Sequence, residues 1–329
     1  MKILVFEYIT GGGLAQEELP KSLVREGSLM LKALIDELSI LPSVKLTVLL
    51  DQRCNDLDLP QTIEIIWVTA QQLVYDLLPA LIDDSDLVWP IAPEMDSHLL
   101  NISKLVENKS KRLLNSSSES IAISSDKLTT AQILKKNNIA AIDAYQLDEF
   151  AQKLAGQWVI KPKNGVGCLD CFFVSNSYEF NEIIKQIKDQ SSYLIQPYIK
   201  GETLSLSCLF KDGVAWLLCC NKQLVSIKQG KFELNACQVN ITTKNRVAYQ
   251  YLIKQVANAI PGLWGYVGID IIQPEYGQAL IVEINPRLTT SYAGIGQALG
   301  INLAEAIIKM IDKDPELSFV QNNKITISI

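Results

Sequence analysis

Apolar residues fall first in a run at 3–6 (Ile-Leu-Val-Phe) and then, beyond a cluster of glycines, at helical spacing through 23–38. Further apolar runs of strand length occupy 46–50, 64–68 and 87–91. Short apolar strands separated by helical patterns predict a doubly wound parallel sheet, an α/β unit with helices on both faces. The segment 96–115 reads as helical, and the polar run Ser116-Ser-Ser-Glu-Ser120 reads as a linker that closes a first domain at 1–115.

The pattern then changes. A helix with Asp126 as its N-cap covers 126–138, and from Tyr145 strand-like runs dominate. The runs 158–163 and 171–174 flank a glycine loop as a hairpin, a helix follows at 177–188, and strands continue at 193–199, 203–210 and 214–220. A helix at 245–259 precedes a last hairpin, 266–273 with 279–284. This organisation predicts two α+β subdomains, 116–195 and 196–329, behind the α/β domain.

Composition narrows the partners. The 329 residues are 48% hydrophobic and 20% charged, within the range of a globular protein, and enough for two or three packed units. The net charge is −6, with basic and acidic residues interspersed, so there is no basic field for nucleic acid. No apolar run approaches the roughly 18 to 20 residues of a membrane helix. The opening run is too short for a secretory signal and lacks a small-residue cleavage site. Seven cysteines, an odd number scattered through apolar segments, suit reduced thiols, and the expected setting is cytoplasmic. Cys168-x-x-Cys171 lacks a second pair and the chain has one His, so zinc is not expected. Small-molecule partners are expected, neither membrane nor nucleic acid, with a homodimer left open.

The last hairpin carries the strongest chemistry. A turn centred on Tyr276-Gly277 places Asp270 opposite Glu283, and Asn285 shares their face because side chains alternate along a strand. Opposed Cβ atoms lie about 4.5 to 5.5 Å apart, and like charges there repel unless something positive sits between them. Two carboxylates and an amide among Ile269, Ile271, Val282 and Ile284 suit Mg²⁺ held jointly with phosphates. The competing reading is a solvated hairpin face. Asn285-Pro-Arg287 weakens it, since Pro ends the strand and Arg287 emerges where a metal-held phosphate needs a cation.

Upstream, alternation puts Lys161 and Lys163 on one face, and Gly165 and Gly167 follow at once. Glycine amides can converge on an anion while lysines supply point charge. In Gln196-Pro197-Tyr198-Ile199 an extended segment can present main-chain amides to the edge of adenine; Pro197 has no N–H, so the donor is Tyr198 or Ile199. Glu202 can accept from ribose hydroxyls. His98, in Asp96-Ser-His, reads as a helix-surface residue rather than a base.

In order, Lys127, Lys161-Pro-x-x-Gly-x-Gly, Gln196-Pro-Tyr-Ile-x-Gly-Glu202, Asp270 and Glu283-Ile-Asn-Pro-Arg287 resemble the ATP-grasp superfamily over nearly the whole chain. The resemblance implies the ATP-grasp fold, with ATP clamped between two antiparallel sheets, and ADP-forming ligation of a carboxylate to an amine through an acyl phosphate. It implies that Lys127 and Lys161 hold ATP phosphates, that the loop through Gly165, Gly167 and Cys168 closes over them, that 196–199 reads adenine and that Glu202 holds ribose. Asp270, Glu283 and Asn285 would bind two Mg²⁺, with Mn²⁺ as a substitute, and Arg287 would stabilise the transferring phosphoryl group. Three positions depart from the commonest pattern: Gln196 where many members have Glu, Cys168 where Gly or Ser is usual, and Gly268 where the D-alanine ligase branch has Arg.

Within the superfamily, the start Phe6-Glu-Tyr-Ile-Thr-Gly-Gly-Gly13, with Ala92-Pro-Glu94 and Asn221-Lys-Gln223, resembles the tyramine-glutamate ligase branch of methanofuran-type cofactor biosynthesis. Glycines after the first strand lie at the sheet edge where ligands bind. The amides of Gly11, Gly12 and Gly13 are thus expected to meet a substrate carboxylate, and Glu7 or Glu94 an ammonium. Two other functions stay open: a different ATP-grasp enzyme, such as a peptide ligase or a carboxylase-like purine enzyme, and a nucleotide-binding sensor without turnover.

Overall fold

A computed structural model describes residues 1–150 and 156–328. The first part contains β1 (Lys2–Glu7), α1 (Lys21–Ser39), β2 (Lys45–Asp51), β3 (Glu64–Val68), α2 (Val74–Asp83), β4 (Leu87–Ile91), α3 (His98–Asn108) and β5 (Arg112–Leu113). The strands form a parallel sheet in the order β3-β2-β1-β4-β5. Strand order reverses between β1 and β4, which opens a crevice at their carboxyl ends. Glu7 closes β1 there, and Glu94 lies just past β4.

Two expectations need correction. The segment 96–115 is not one helix: α3 stops at Asn108, Ser110 adopts φ 55°, and Arg112–Leu113 joins the sheet. The polar run 116–120 is not a solvated linker either. Ser117 caps the helix α4 (Ser118–Ser125), and Ser116 and Ser120 are buried. Small hydroxyl side chains let the backbone of 262–264 approach closely: the Ser117 N–H donates to the Gly262 carbonyl at 3.0 Å and the Trp264 N–H to Ser116 Oγ at 3.1 Å.

The remainder adds α5 (Lys127–Lys136), β6 (Tyr145–Gln146), β7 (Trp158–Pro162), β8 (Phe172–Val174), α6 (Ser177–Gln186), β9 (Tyr193–Pro197), β10 (Glu202–Lys211), β11 (Val214–Lys228) and β12 (Lys231–Val239). Then come α7 (Arg246–Ala259), β13 (Gly265–Gln273), β14 (Leu280–Asn285), α8 (Tyr292–Leu299), α9 (Leu303–Lys309) and β15 (Ile325–Ser328). An antiparallel sheet runs β14-β13-β10-β11-β12-β8-β7-β9-β6, with β15 on β12. The pair Lys231↔Phe172 is the one register point between β12 and β8, so two antiparallel leaves meet along a narrow seam. Sequence reading missed β12, although Gln229 and Gly230, with φ 50° and 77°, form a two-residue turn of the kind that twisted hairpins prefer.

The hydrophobic core does not follow the chain order of the expected domains. Leu34 and Leu38 of α1 share one cluster with Ile295 and Leu303 of α8 and α9. Glu37 reinforces this, accepting from the Tyr292 hydroxyl at 2.6 Å and the Ala304 N–H at 2.9 Å. An apolar helix face must be covered, and the stripe of α1 that the sheet leaves open covers these C-terminal helices.

The seam at 262–264 yields a stability prediction. A Cβ at Gly262 would meet Ser117 Oγ at 2.4 Å and Ser120 Oγ at 2.5 Å. Gly262→Ala therefore lowers stability by about 1–3 kcal/mol through overpacking, read as a lowered thermal midpoint; an unchanged midpoint would show that the seam yields.

Candidate active site

A cavity of about 360 Å³ lies between the two leaves, within the range of ligand pockets. Its apolar end is built from Ile142, Val159, Val225, Leu234, Ile272 and Val282, and its polar end from Lys127, Lys161, Asp270, Glu283, Asn285 and Arg287.

The metal-type face forms as expected from the turn. Asp270 pairs with Glu283 and Gly268 with Asn285, and beyond a bulge Ile271 pairs with Ile281. The bulge confines the register change to the turn side and leaves the three oxygen donors on the cavity wall. Burial first, then Glu283, pushes the Asp270 carboxyl well above the carboxylate range. Burial also acts to raise Glu283, but Lys127 and Lys161 outweigh it and hold that carboxylate low. The two carboxyls are thus driven in opposite directions, and Gln223 Nε2 donates to Asp270 at 3.1 Å. Two opposed carboxyl groups joined by an amide oxygen fit a hard divalent cation.

Lys127 is the first residue of α5, where a cation opposes the helix dipole. Glu283 offsets this, at 3.2 Å from Nζ, and Nζ also donates to the Gly165 carbonyl at 2.6 Å. Lys161, on β7, is 5% exposed and makes no hydrogen bond or ion pair among the described residues. Burial pulls its ammonium below the ordinary lysine range, with Glu283 opposing. A buried ammonium without a direct partner in a cavity is arranged for an anion that arrives with the ligand. Lys163 lies just outside the wall; its main chain bonds Ser192 and Lys127.

The glycine loop turns through two successive left-handed residues, Gly167 at φ 61° and Cys168 at φ 64°. Cys168 stands where glycine would be relaxed, at a cost of about 1–2 kcal/mol. Burial pushes the Cys168 thiol up to about 12 and Cys171 to about 11, so neither cavity thiol is a ready nucleophile. Gln196, Pro197, Tyr198 and Ile199 line the cavity. The Tyr198 N–H is spent on the Gln157 carbonyl at 2.8 Å, which leaves Ile199 as the main-chain donor. Glu202 lies off the wall, ion-paired with Lys222 at 2.9 Å.

The substrate residues sit differently than expected. Arg287 Nε and Nη2 donate to Glu94 Oε1 and Oε2 at 2.9 and 2.8 Å, and Nη1 donates to the Leu288 carbonyl at 3.0 Å. Glu94 is therefore committed to the guanidinium and does not wait for an ammonium. Burial opposes the charge of Arg287, and Glu94, then Glu26, more than offset it. Two of the five guanidinium N–H groups remain for a ligand. Glu7 is buried, accepting from Thr10 N–H and Oγ1, both at 2.6 Å. The glycine amides turn inward: Gly11 donates to the Glu7 carbonyl at 2.7 Å and Gly13 to the Tyr8 carbonyl at 2.8 Å. That loop is packed, and these residues do not line the cavity. His98 opens α3 half-buried, stacked on Tyr8 at 4.0 Å and meeting the Tyr75 hydroxyl at 3.2 Å.

Sequence reading missed Glu26, Thr289, Thr290 and Ser291 on the wall, and named Gln223 only as part of a motif, without a role. One signal for Glu26 was present: Gly27 inside a helical pattern, a costly residue that marks close packing. Gly268 also acquires a reason, since a Cβ there would meet Thr289 Cγ2 at 2.6 Å.

Residues 124–291 match the family model for the ATP-grasp domain, and 44–121 that for the pre ATP-grasp 3 domain. The chain belongs to the ATP-grasp family. It is 29% identical to tyramine–L-glutamate ligase of Methanocaldococcus jannaschii, over 99% of this chain and 94% of that protein. Among solved structures it resembles an ATP-grasp superfamily protein from Archaeoglobus fulgidus, with a TM-score of 0.74, 21% identity, and coverage of 100% of this chain and 92% of that one. The biotin carboxylase domain of Hydrogenobacter thermophilus 2-oxoglutarate carboxylase, solved with MgADP and bicarbonate, has a TM-score of 0.73 at 13% identity, covering 97% of this chain and 71% of that one. The expected fold and reaction class stand: the protein is an ATP-dependent ligase that joins a carboxylate to an amine.

Lys161 supplies the sharpest mutational contrast. Lys161→Met removes a buried charge that no direct contact among the described residues pairs and that the field of Glu283 offsets only in part, so the thermal midpoint changes little. KM for ATP rises about tenfold or more. A lowered midpoint with unchanged KM would make the lysine structural.

Proposed function

We propose that the protein uses ATP and Mg²⁺ to activate a carboxylate of L-glutamate and join it to the amine of tyramine. The observation that carries this reading is the similarity to a tyramine–L-glutamate ligase along 99% of the chain. The product would feed a methanofuran-type cofactor, in keeping with the resemblance of the N-terminal motifs. Reduced thiols at all seven cysteines fit a cytoplasmic setting, and no helix among the described residues is long and apolar enough to cross a membrane.

In the first step a glutamate carboxylate oxygen attacks the γ-phosphorus, the bond to the bridging oxygen breaks, and ADP leaves an acyl phosphate behind. The amine nitrogen then attacks the acyl carbon, expels inorganic phosphate and releases a proton to solvent. Lys161 and Lys127 neutralise the phosphates, the 165–168 loop covers them, and the Ile199 N–H faces the adenine edge. The two remaining N–H groups of Arg287 hold the transferring phosphoryl oxygens, with the fork fixed from behind by Glu94. Mg²⁺, when bound by Asp270, Glu283 and Asn285, supplies positive charge beside those oxygens. The all-oxygen donor set equally suits Mn²⁺ and accommodates two ions shared with the phosphates.

The test is ADP release from ATP across a panel of acids and amines. Release that needs both glutamate and tyramine is expected; release with another pair only would replace these substrates, and tight ATP binding without turnover would favour the sensor. Glu283→Gln should lower turnover by about a hundredfold or more through weakened cation binding, measured on folded protein because Lys127 also loses its partner and the thermal midpoint falls. Near-normal activity would reject the metal assignment.

A further inference from the structure

Glu26 is not accounted for by the phosphoryl chemistry. Helix α1 carries it from the first domain to the polar end of the cavity, where it lines the wall beside Arg287 and Thr290. Thr290 Oγ1 donates to Glu26 Oε2 at 3.1 Å, and no donor reaches Oε1 among the described residues. Oε1 instead points towards the glycine loop, 3.7 Å from where a Cβ of Gly167 would stand.

The charges at this end do not balance. Arg287 is the cation that acts on Glu26, and Arg287 is already neutralised by the bidentate contact with Glu94. Lys127 and Lys161 belong to the opposite group, with Glu283. Glu26 is thus a surplus carboxylate on a cavity wall with one oxygen unsatisfied, bonded through the other to the Thr290 hydroxyl, which can accept a further hydrogen bond. Its direction is fixed from behind. A Cβ at Gly27 would strike the Glu7 carboxylate at 2.6 Å, so α1 can lie against Glu7 only because that position is glycine.

We infer that Glu26 binds a primary ammonium group of the substrates, with Arg287 beside it taking the oxygens of the carboxylate or its phosphate. A three-donor cation matches the free carboxylate oxygen and the Thr290 hydroxyl, whereas a neutral group would leave the half-buried carboxylate without a counterion. The inference rests on the proposed ligase reading, in which both the amino acid and the amine carry an ammonium. Glu7 and Gly27 are positioning residues for it.

Calorimetric titration of the full chain, with Mg²⁺ and a non-hydrolysable ATP analogue present, separates the two sources. Glutamate is compared with glutarate, and tyramine with 4-ethylphenol, on the wild type and on Glu26→Gln. The variant should weaken one ammonium ligand by about tenfold to a hundredfold and leave its deaminated counterpart and the ATP analogue within about twofold. Loss confined to glutamate assigns the amino acid's ammonium; loss confined to tyramine assigns the acceptor. Equal binding of both ammonium ligands to wild type and a folded variant overturns the inference, as does an equal loss for the deaminated ligands. If neither glutamate nor tyramine binds the wild type, the proposed substrates fall. The same comparison is then made with the amino acid or amine that does support ADP release, and the absence of any such ligand overturns the inference too. Glu26→Asp, which keeps the charge on a shorter arm, should recover part of the lost affinity, a result that a purely structural role would not give.

Discussion

The buried fork between Arg287 and Glu94 decides where the two halves of the protein meet. Glu94 follows β4 at the crevice of the parallel sheet, and Arg287 follows β14 at the edge of the antiparallel one. Neither charge is tolerable alone at that depth, because removing one partner of such a pair costs about 3–5 kcal/mol. Bidentate geometry also fixes orientation, so the pair sets the angle at which the guanidinium presents its remaining donors. The active cavity exists because this contact and the α1–α8–α9 core hold the parallel sheet against the antiparallel leaves.

Around that contact the protein divides its charges into two groups. At one end Asp270 and Glu283 face each other across a strand pair, with Lys127 bound to Glu283 and Lys161 without a direct partner among the described residues. At the other, Arg287 is balanced by Glu94 and Glu26 is left over. Each group is incomplete in a way a different part of the substrates can complete: phosphates and cation for the first, an ammonium for the second. Polar groups held in wait cost folding energy, and the apolar shell of Ile269, Ile271 and Ile284 offsets that cost while keeping the field strong.

Local pattern was enough for much of this. Alternation and turn chemistry located the β13–β14 hairpin and its opposed acids, since a strand has a side-chain period of two and a short turn fixes which residues face each other. The Asp126 cap announced α5, and the loop after Lys161 was legible from its glycines. Even the bulge at 270–271 left the sequence-based pairing intact where the oxygen donors lie.

What the sequence could not determine was which charges meet across long separations. Glu94 and Arg287 are 193 residues apart, and nothing in either segment names the other. The glycines at 11–13 looked like open amides and prove to be packed against their own strand, because burial of Gly11 and Gly13 depends on Phe6 and Tyr8 folding back over them. Ser116 and Ser120 looked solvated and are buried, because only the tertiary fold brings Gly262 close enough to need small neighbours. Short-range periodicity therefore determined many of the elements and the metal-type face, whereas the partner of every long-range charge, and with it the substrate end of the site, was decided by packing.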